Sequence, residues 1–304
     1  MARGRRAPAA GRMIPPEPTV VDLHTHTCHS DGLLEPAALV AAAAAAGVRT
    51  LAIADHDTLG GYRSLIAPGA GPLPSGLRVL PGVEINAVAG GRDLPDGELH
   101  VVGLGVDPAD DAFEAVLVEQ RAGRRRRFER MAARLRAAGL AVDAQLADMD
   151  VTRDDALGRP TLARALVAAG FATSVSDAFA RFVGKGGPGY VRREGLGPLE
   201  AIRAIRGAGG IPVLAHFAIA SSRRVLLGEL RSAGLVGIEV HHRSFDAATV
   251  ASVGAVARDL RLLPSGGTDF HGDDETYAEA IGETWVPREI AAGVLAALRV
   301  EIGA

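Results

Sequence analysis

Cysteine is almost missing: Cys28 is the only one in 304 residues. One thiol excludes an internal disulfide and a structural zinc site of the four-cysteine kind, so no disulfide partner is expected and a reducing cytoplasm fits. Long apolar runs are missing too. The alanine-rich stretch at 37–46 is far shorter than the roughly twenty residues a bilayer requires, so it predicts a helix and no membrane partner. There is no basic excess either: the net charge is −3 and the pI near 6.3, which excludes the broad positive footprint a long nucleic acid demands. Small anionic substrates stay open, because metal ions bring positive charge of their own. Lysine is reduced to Lys185, and alanine and glycine abound, a bias read as genomic composition. The loop Gly184–Gly189 lacks the spacing of a phosphate-binding Walker loop, so triphosphate hydrolysis by that route is excluded. Residues 1–18 carry arginine and proline but no secretory apolar stretch; a disordered tail is expected there, with Met13 as an alternative start.

What is present is an alternation of short β-branched or apolar runs with helical patterns, which predicts an α/β fold with a mostly parallel sheet or barrel. The expected strands are 19–27, 50–56, 78–89, 98–106, 211–217, 237–242 and 261–271, with helices near 35–46, 197–208, 222–233, 246–258 and 287–299. Between 108 and 195 the alternation breaks. Helical patterns near 110–138, 143–149, 159–169 and 174–184 predict an inserted helical subdomain covering the active site, leaving 19–107 and 196–304 as the barrel. The arginine run at 124–127 reads as a solvated helix face.

Chemistry is concentrated at the strand ends. In parallel barrels those ends converge on one mouth, so side chains from distant segments meet there. His24 and His26, two apart on a strand, share a face, and Asp31 follows where the chain turns. His56 ends the second run, Glu84 lies on the third, His100 on the fourth, His216 ends the fifth, and Asp269 and His271 end the seventh. A lone histidine at a strand end is most often structural; nine imidazole and carboxylate groups at the ends of six strands are instead enough for two to three divalent ions. Without thiolate, the set admits Mn²⁺, Fe²⁺ or Zn²⁺.

The segments HTHTCHSDG, ADHDT, PGVE, the later Ala-His and SGGTDFH resemble the successive motifs of the polymerase and histidinol phosphatase (PHP) family. The resemblance runs from about Val21 to Trp285 and implies a distorted seven-stranded β/α barrel and phosphate-ester hydrolysis by a metal-bound hydroxide. GRPTLARALVAAG and GKGGPGYV are similar to the subgroup of nucleoside 3′,5′-bisphosphate phosphatases and a 5′→3′ oligoribonuclease, implying a small phosphorylated substrate such as a nucleotide or short RNA. By matching motif, the resemblance gives a first ion to His24, His26, Glu84 and Asp269, a second to Glu84, His100 and His216, and a third to Asp31, His56 and His271. It also gives Arg159 and Lys185 the role of clamping substrate phosphate, against a reading as surface charges. Two departures stand out: Thr161 where the subgroup has histidine after GRP, and Phe217 where it has proline after Ala-His.

Other residues carry paired readings. Asp57 either orients His56, gives a proton to the leaving oxygen, or caps the following helix; for Asp55 capping is the expectation. Of His241 and His242, one faces the site and the other away, in a packing or ligand-supporting role. His29 reads as a solvent-facing loop residue and Cys28 as a small buried filler. The favoured function is a phosphatase or short-oligonucleotide phosphoesterase. The alternatives are a phosphatase for another small metabolite, such as a histidinol-phosphate-like compound or a sugar phosphate, and a non-catalytic PHP module, which the completeness of the nine ligands disfavours.

Overall fold

The computed structural model describes residues 17–89, 94, 97–149, 157–272 and 275–298. The expected tail, up to position 16, lies outside them. All seven expected strands form: β1 (Val21–Thr25), β2 (Thr50–Ile53), β3 (Arg78–Val88), β4 (Glu98–Leu104), β5 (Ile211–Leu214), β6 (Gly237–His242) and β7 (Leu263–Gly267). They follow one another in chain order in a single sheet, and β1 meets β7 through the Thr25–Phe270 bridge, which brings the sheet around into a barrel. Alternation along β1 and β3 explains the layering. Val21 and Leu23 of β1, and Val83, Ile85 and Ala87 of β3, turn outward into the apolar layers under the helices. Asp22, His24, Glu84 and Asn86 take the opposite face, toward the barrel interior.

The sheet departs from all-parallel order at one strand. β4 runs antiparallel to both β3 and β5, with Asn86 opposite His100 and Val101 opposite Leu214. Periodicity does not encode direction, so this reversal was invisible in the sequence. It has a consequence for the site: the amino end of β4, which carries His100, opens onto the mouth that the other strands reach with their carboxyl ends.

Closure of β1 on β7 depends on a buried carboxylate. Asp22, fully buried, accepts hydrogen bonds from Thr268 N (2.9 Å), Thr268 Oγ1 (2.7 Å) and Tyr277 Oη (2.8 Å). Beside it, a Cβ on Gly267 would lie 2.5 Å from His24 N, so only glycine permits this approach. Asp22→Ala strands three buried donors and is expected to destabilise the protein by about 2–4 kcal/mol. A denaturant midpoint within error of the wild type would contradict that role.

The expected helices form as α1 (Pro36–Ala45), α7 (Pro198–Gly207), α8 (Arg224–Ser232), α9 (Ala247–Asp259) and α11 (Glu289–Ala297). Proline at the first turn of α1 and α7 fits a position where no intrahelical donor is needed. Two short helices that the hydrophobic pattern did not announce, α2 (Gly60–Ile66) and α10 (Tyr277–Gly282), also form. Between β4 and β5 come α3 (Asp111–Ala137), α4 (Asp143–Ala147), α5 (Arg159–Ala168) and α6 (Val175–Ala178), the last running into a wider turn at Phe179–Val183, with no strand among the described residues. The side chain of Asp110 caps α3 by accepting from Phe113 N, and acidic residues in the first turn and arginines in the last complement its dipole. These helices pack on a core of their own that includes Met131, Leu135, Leu162, Leu166 and Phe182.

On α3 the solvated-face reading of the arginine run is corrected. Arg124 and Arg127 are buried, at 5% and 4% exposure, while Arg126 faces solvent. They lie in register with Leu117, Phe128, Met131 and Leu135, the inward face at three- and four-residue spacing.

Candidate metal centre

All nine residues named from the strand ends come together. Three sets of donor atoms form, within each of which all atoms lie inside 4.8 Å: His24, His26, Glu84 and Asp269; Glu84, His100 and His216; and His26, Asp31, His56 and His271. The first two match the sets implied by the family motifs. The third gains His26, whose Nδ1 lies 3.8 Å from Asp31 Oδ1.

Glu84 stands at the centre. Its Oε2 lies 3.0 Å from His56 Nδ1, 3.3 Å from His24 Nε2 and 3.4 Å from His26 Nε2, and its Oε1 lies 2.9 Å from His100 Nδ1 and 3.2 Å from His216 Nε2. Ligands about 2.1 Å from a shared ion in tetrahedral array stand about 3.4 Å apart, so these spacings suit divalent metal. His24 Nε2, His26 Nε2, Asp31 Oδ1 and His56 Nδ1 are buried with no hydrogen-bond partner among the described residues. Buried polar atoms are rarely left so, and lone pairs converging on common points are what a cation satisfies. The residues therefore fit the metal ions that the motifs imply.

Electrostatics agree. Burial pushes the Glu84 carboxyl up, but the imidazoles around it, with His24 held protonated, outweigh it and hold Glu84 well below the ordinary carboxylate range. Asp31 and Asp269 are held low in the same way. His56 goes the other way: burial takes its ring down to about 3, leaving it neutral with a free lone pair.

Backbone geometry aims these groups. Asp57, His216 and Asp269 all adopt positive φ, at 55°, 33° and 50°. A non-glycine residue in that region costs roughly 1–3 kcal/mol, and such costs gather where a turn must throw a side chain across a site.

Supporting contacts that the sequence did not announce hold the ligands. Glu239 on β6 lies 2.8 Å from His24 Nδ1 and accepts from His216 N at 2.6 Å, so one carboxylate orients two of the nine. Its signal was a charged residue between Ile238 and Val240, which both turn into the core. Asp55 is not a helix cap: its carboxylate accepts from Thr27 N, Thr27 Oγ1 and Ser30 Oγ at 2.7, 2.7 and 2.6 Å, pinning the loop between His26 and Asp31. A register shift in β6 falls between Glu239 and His241, so that His242 and not His241 follows Glu239 toward the site. His242 turns to Asp269, with Nε2 3.6 Å from Oδ2, while His241 packs edge-on against Trp285. His29 is half-buried, its ring close to Gly60, and Cys28 is half-buried rather than a core filler.

Above the cluster is a cavity of about 240 Å³. Its floor is formed by Asp31, His56, Glu84, His100, His216, Asp269 and His271; its walls include Arg124, Arg127, Phe128, Met131, Arg159 and Phe179 from the helices between β4 and β5, together with Arg193. Arg159 packs over the Phe179 ring, 5.5 Å from its centroid. Lys185 is exposed and is not part of this wall. Thr161 is buried on α5, and Phe217 is buried in the barrel core. Asp57 is fully buried and does not line the cavity, accepting from Arg124 Nη2 at 2.7 Å with Arg193 3.7 Å away. Glu98 pairs with Arg193 and Arg127 at 3.2 Å each; burial opposes its ionisation, but these arginines hold its carboxyl down at about 2. Among the described residues, two carboxylates, Asp57 and Glu98, thus stand beside the arginines of the cavity wall.

A family model for the PHP domain matches residues 22–132. The 3′,5′-nucleoside bisphosphate phosphatase of Chromobacterium violaceum is 35% identical over 259 residues, covering 84% of this chain and 88% of that protein. The 5′-3′ exoribonuclease Rnm of Escherichia coli K12 is 34% identical over 281 residues, 88% of this chain and 90% of that one. Among solved structures, a metal-dependent phosphoesterase from Bifidobacterium adolescentis superposes with a TM-score of 0.77 at 32% identity, covering 92% of this chain and 98% of its own.

Proposed function

The chain belongs to the PHP family and is a phosphate-ester hydrolase, and from that premise we propose that it acts on nucleotide-like substrates, a nucleoside 3′,5′-bisphosphate or a short oligonucleotide, at a centre of two to three divalent ions. The observation that carries this reading is the pairing of the nine-ligand floor with an arginine-lined roof across one cavity. When bound, the ions polarise the phosphoryl oxygens and lower the pKa of the attacking water.

The chain's own residues do the rest. His24, His26, Glu84 and Asp269 hold the first ion, Glu84, His100 and His216 the second, and Asp31, His56 and His271 the third, with His26 in reach of it. Glu239 keeps His24 facing inward. Arg159, with Arg127 and Arg193, seats a second phosphate or an internucleotide phosphate by charge-assisted hydrogen bonds. Phe128 and Phe179 offer ring faces to a base. Asp57 serves as the buried counter-ion of Arg124, not as a proton donor, because it is fully buried, paired with that arginine and not among the residues that line the cavity. The helices between 108 and 195 form the inserted subdomain covering the site. No helix among the described residues is long and apolar enough to cross a membrane; with one cysteine and this substrate class, the cytoplasm is the proposed compartment. Mn²⁺, Fe²⁺ and Zn²⁺ all suit the ligand types.

Metal-loaded enzyme should release phosphate faster from adenosine 3′,5′-bisphosphate or cleave short RNA faster than it hydrolyses histidinol phosphate or a sugar phosphate. Arg159→Ala should lower kcat/KM for the bisphosphate by about 30–150-fold, roughly 2–3 kcal/mol, and leave a chromogenic monophosphate nearly unaffected. Lys185→Ala should change neither. An equal loss on both substrates in Arg159→Ala would point to general damage or to a role at the reacting phosphate, whereas no loss on either, or a preference for histidinol phosphate, would move the small-metabolite reading ahead.

A further inference from the structure

Arg124 stands where the helix α3 meets two strand ends. It is 5% exposed. Its Nε and Nη2 donate to Asp57 Oδ2 at 3.2 and 2.7 Å, and Nη2 donates to Asn86 Oδ1 at 3.2 Å. Guanidinium has donors only, so it fixes the amide of Asn86 with its oxygen toward Arg124. The amide nitrogen is then directed the other way, where it lies 2.9 Å from His100 Nε2.

Both partners of Arg124 are tied to residues of the floor. Asp57 follows His56 directly, holds positive φ, and its backbone N donates to Glu84 O at 3.0 Å. One turn earlier on the same helix, Arg121 donates to Asp57 O at 3.0 Å. Asn86 lies two residues beyond Glu84 on the same strand face and opposite His100. A single buried guanidinium therefore spans the ends of β2 and β3 and reaches His56, Glu84 and His100 through one intervening group each.

We propose that Arg124 is a positioning residue for the metal centre: it sets the placement of His56 and His100 about Glu84, so that α3 builds the centre as well as roofing it. The proposal rests on the metal reading above. Its physical basis is the buried pair itself. Without Arg124 the carboxylate of Asp57 keeps, among the described residues, only the 3.7 Å contact with Arg193, and its strained turn loses one of the groups that hold it. Asn86 loses the partner that fixes its amide, and His100 with it.

Arg124 also lines the cavity, so the test must separate positioning from substrate contact. Metal binding without substrate does so. Metal-free wild type, Arg124→Met, Arg124→Lys and Asn86→Ala are titrated with Mn²⁺, with folding checked by circular dichroism and thermal melting. Arg124→Met should bind Mn²⁺ roughly 10–100-fold more weakly, the range typical of groups that orient metal ligands, and its kcat should fall even at saturating substrate, with partial rescue by excess Mn²⁺. Arg124→Lys keeps the charge but not the fork and should fall between Arg124→Met and wild type. Asn86→Ala preserves the Arg124–Asp57 pair and should still weaken Mn²⁺ binding; it carries the test if Arg124→Met does not fold. Wild-type Mn²⁺ affinity in Arg124→Met with only a raised KM would overturn the proposal and make Arg124 a substrate contact, as would wild-type affinity in both Arg124→Lys and Asn86→Ala. A wild-type protein that binds none of Mn²⁺, Fe²⁺ and Zn²⁺ would overturn the metal reading itself, a result distinct from either.

Discussion

Glu84→Gln is expected to lower kcat/KM by about 1,000-fold or more, roughly 4 kcal/mol, and to reduce the divalent metal held per chain. The size follows from position. Both carboxylate oxygens lie within 3.4 Å of imidazole nitrogens, five rings in all, and Glu84 belongs to two of the three donor sets. An amide has nearly the same shape but removes a full negative charge from a cationic cluster and presents an N–H where a lone pair is required. Asp269→Asn should act in the same direction with a smaller loss, because Asp269 belongs to one set. Elemental analysis and steady-state kinetics on both variants check this. Wild-type turnover with unchanged metal content in Glu84→Gln would remove Glu84 from the centre.

The second large effect is on metal uptake as a function of pH. In the metal-free protein burial pulls the His271 ring down, but Asp31 and Asp269 override it and hold that ring up at about 10. His24 is likewise held well above its ordinary value, against burial, by Glu239, Glu84 and Asp269. Near neutral pH both rings carry protons that a metal must displace. Loading therefore releases protons, and affinity must rise with pH. His24 belongs to one donor set and His271 to another, so each of those two sites should tighten by about 10-fold per pH unit between roughly pH 6 and 8, with about two protons released per chain as both fill. Calorimetric titration with Mn²⁺ in buffers of different ionisation enthalpy measures the release directly. Affinity that is flat across this range, with no proton release, would contradict the placement of His24 and His271 among the ligands.

The sequence was informative where the physics is local. Seven apolar runs separated by helical patterns were enough for the strands, because a buried strand must be continuously apolar or strictly alternating wherever it sits in the chain. The site was legible for a related reason. His24 and His26 share a face by alternation, and Asp269 and His271 follow a strand end, so their convergence needs only a barrel mouth. Direction, by contrast, leaves no trace in side-chain pattern, and the reversed β4 that brings His100 to the mouth with its amino end was not readable. Nor was the inward turn of Arg124 and Arg127. Arginine at helical spacing looks alike whether it faces water or a buried carboxylate, and Asp57 and Glu98, the carboxylates that pair with Arg124 and Arg127, are 67 and 29 positions away from them. Asn86 and Glu239 were within reach of the same alternation that identified Glu84 and His24. They were missed because a lone polar residue in a strand announces burial without saying what it supports.

The most direct measurement of the central claim is divalent metal per chain in active enzyme, taken by elemental analysis alongside phosphate release from adenosine 3′,5′-bisphosphate as metal is added back to the stripped protein. Nine converging ligands around Glu84 predict that activity reaches its plateau at two to three equivalents and is abolished by chelation. Full activity at one equivalent, or activity that survives complete removal of metal, would contradict the account.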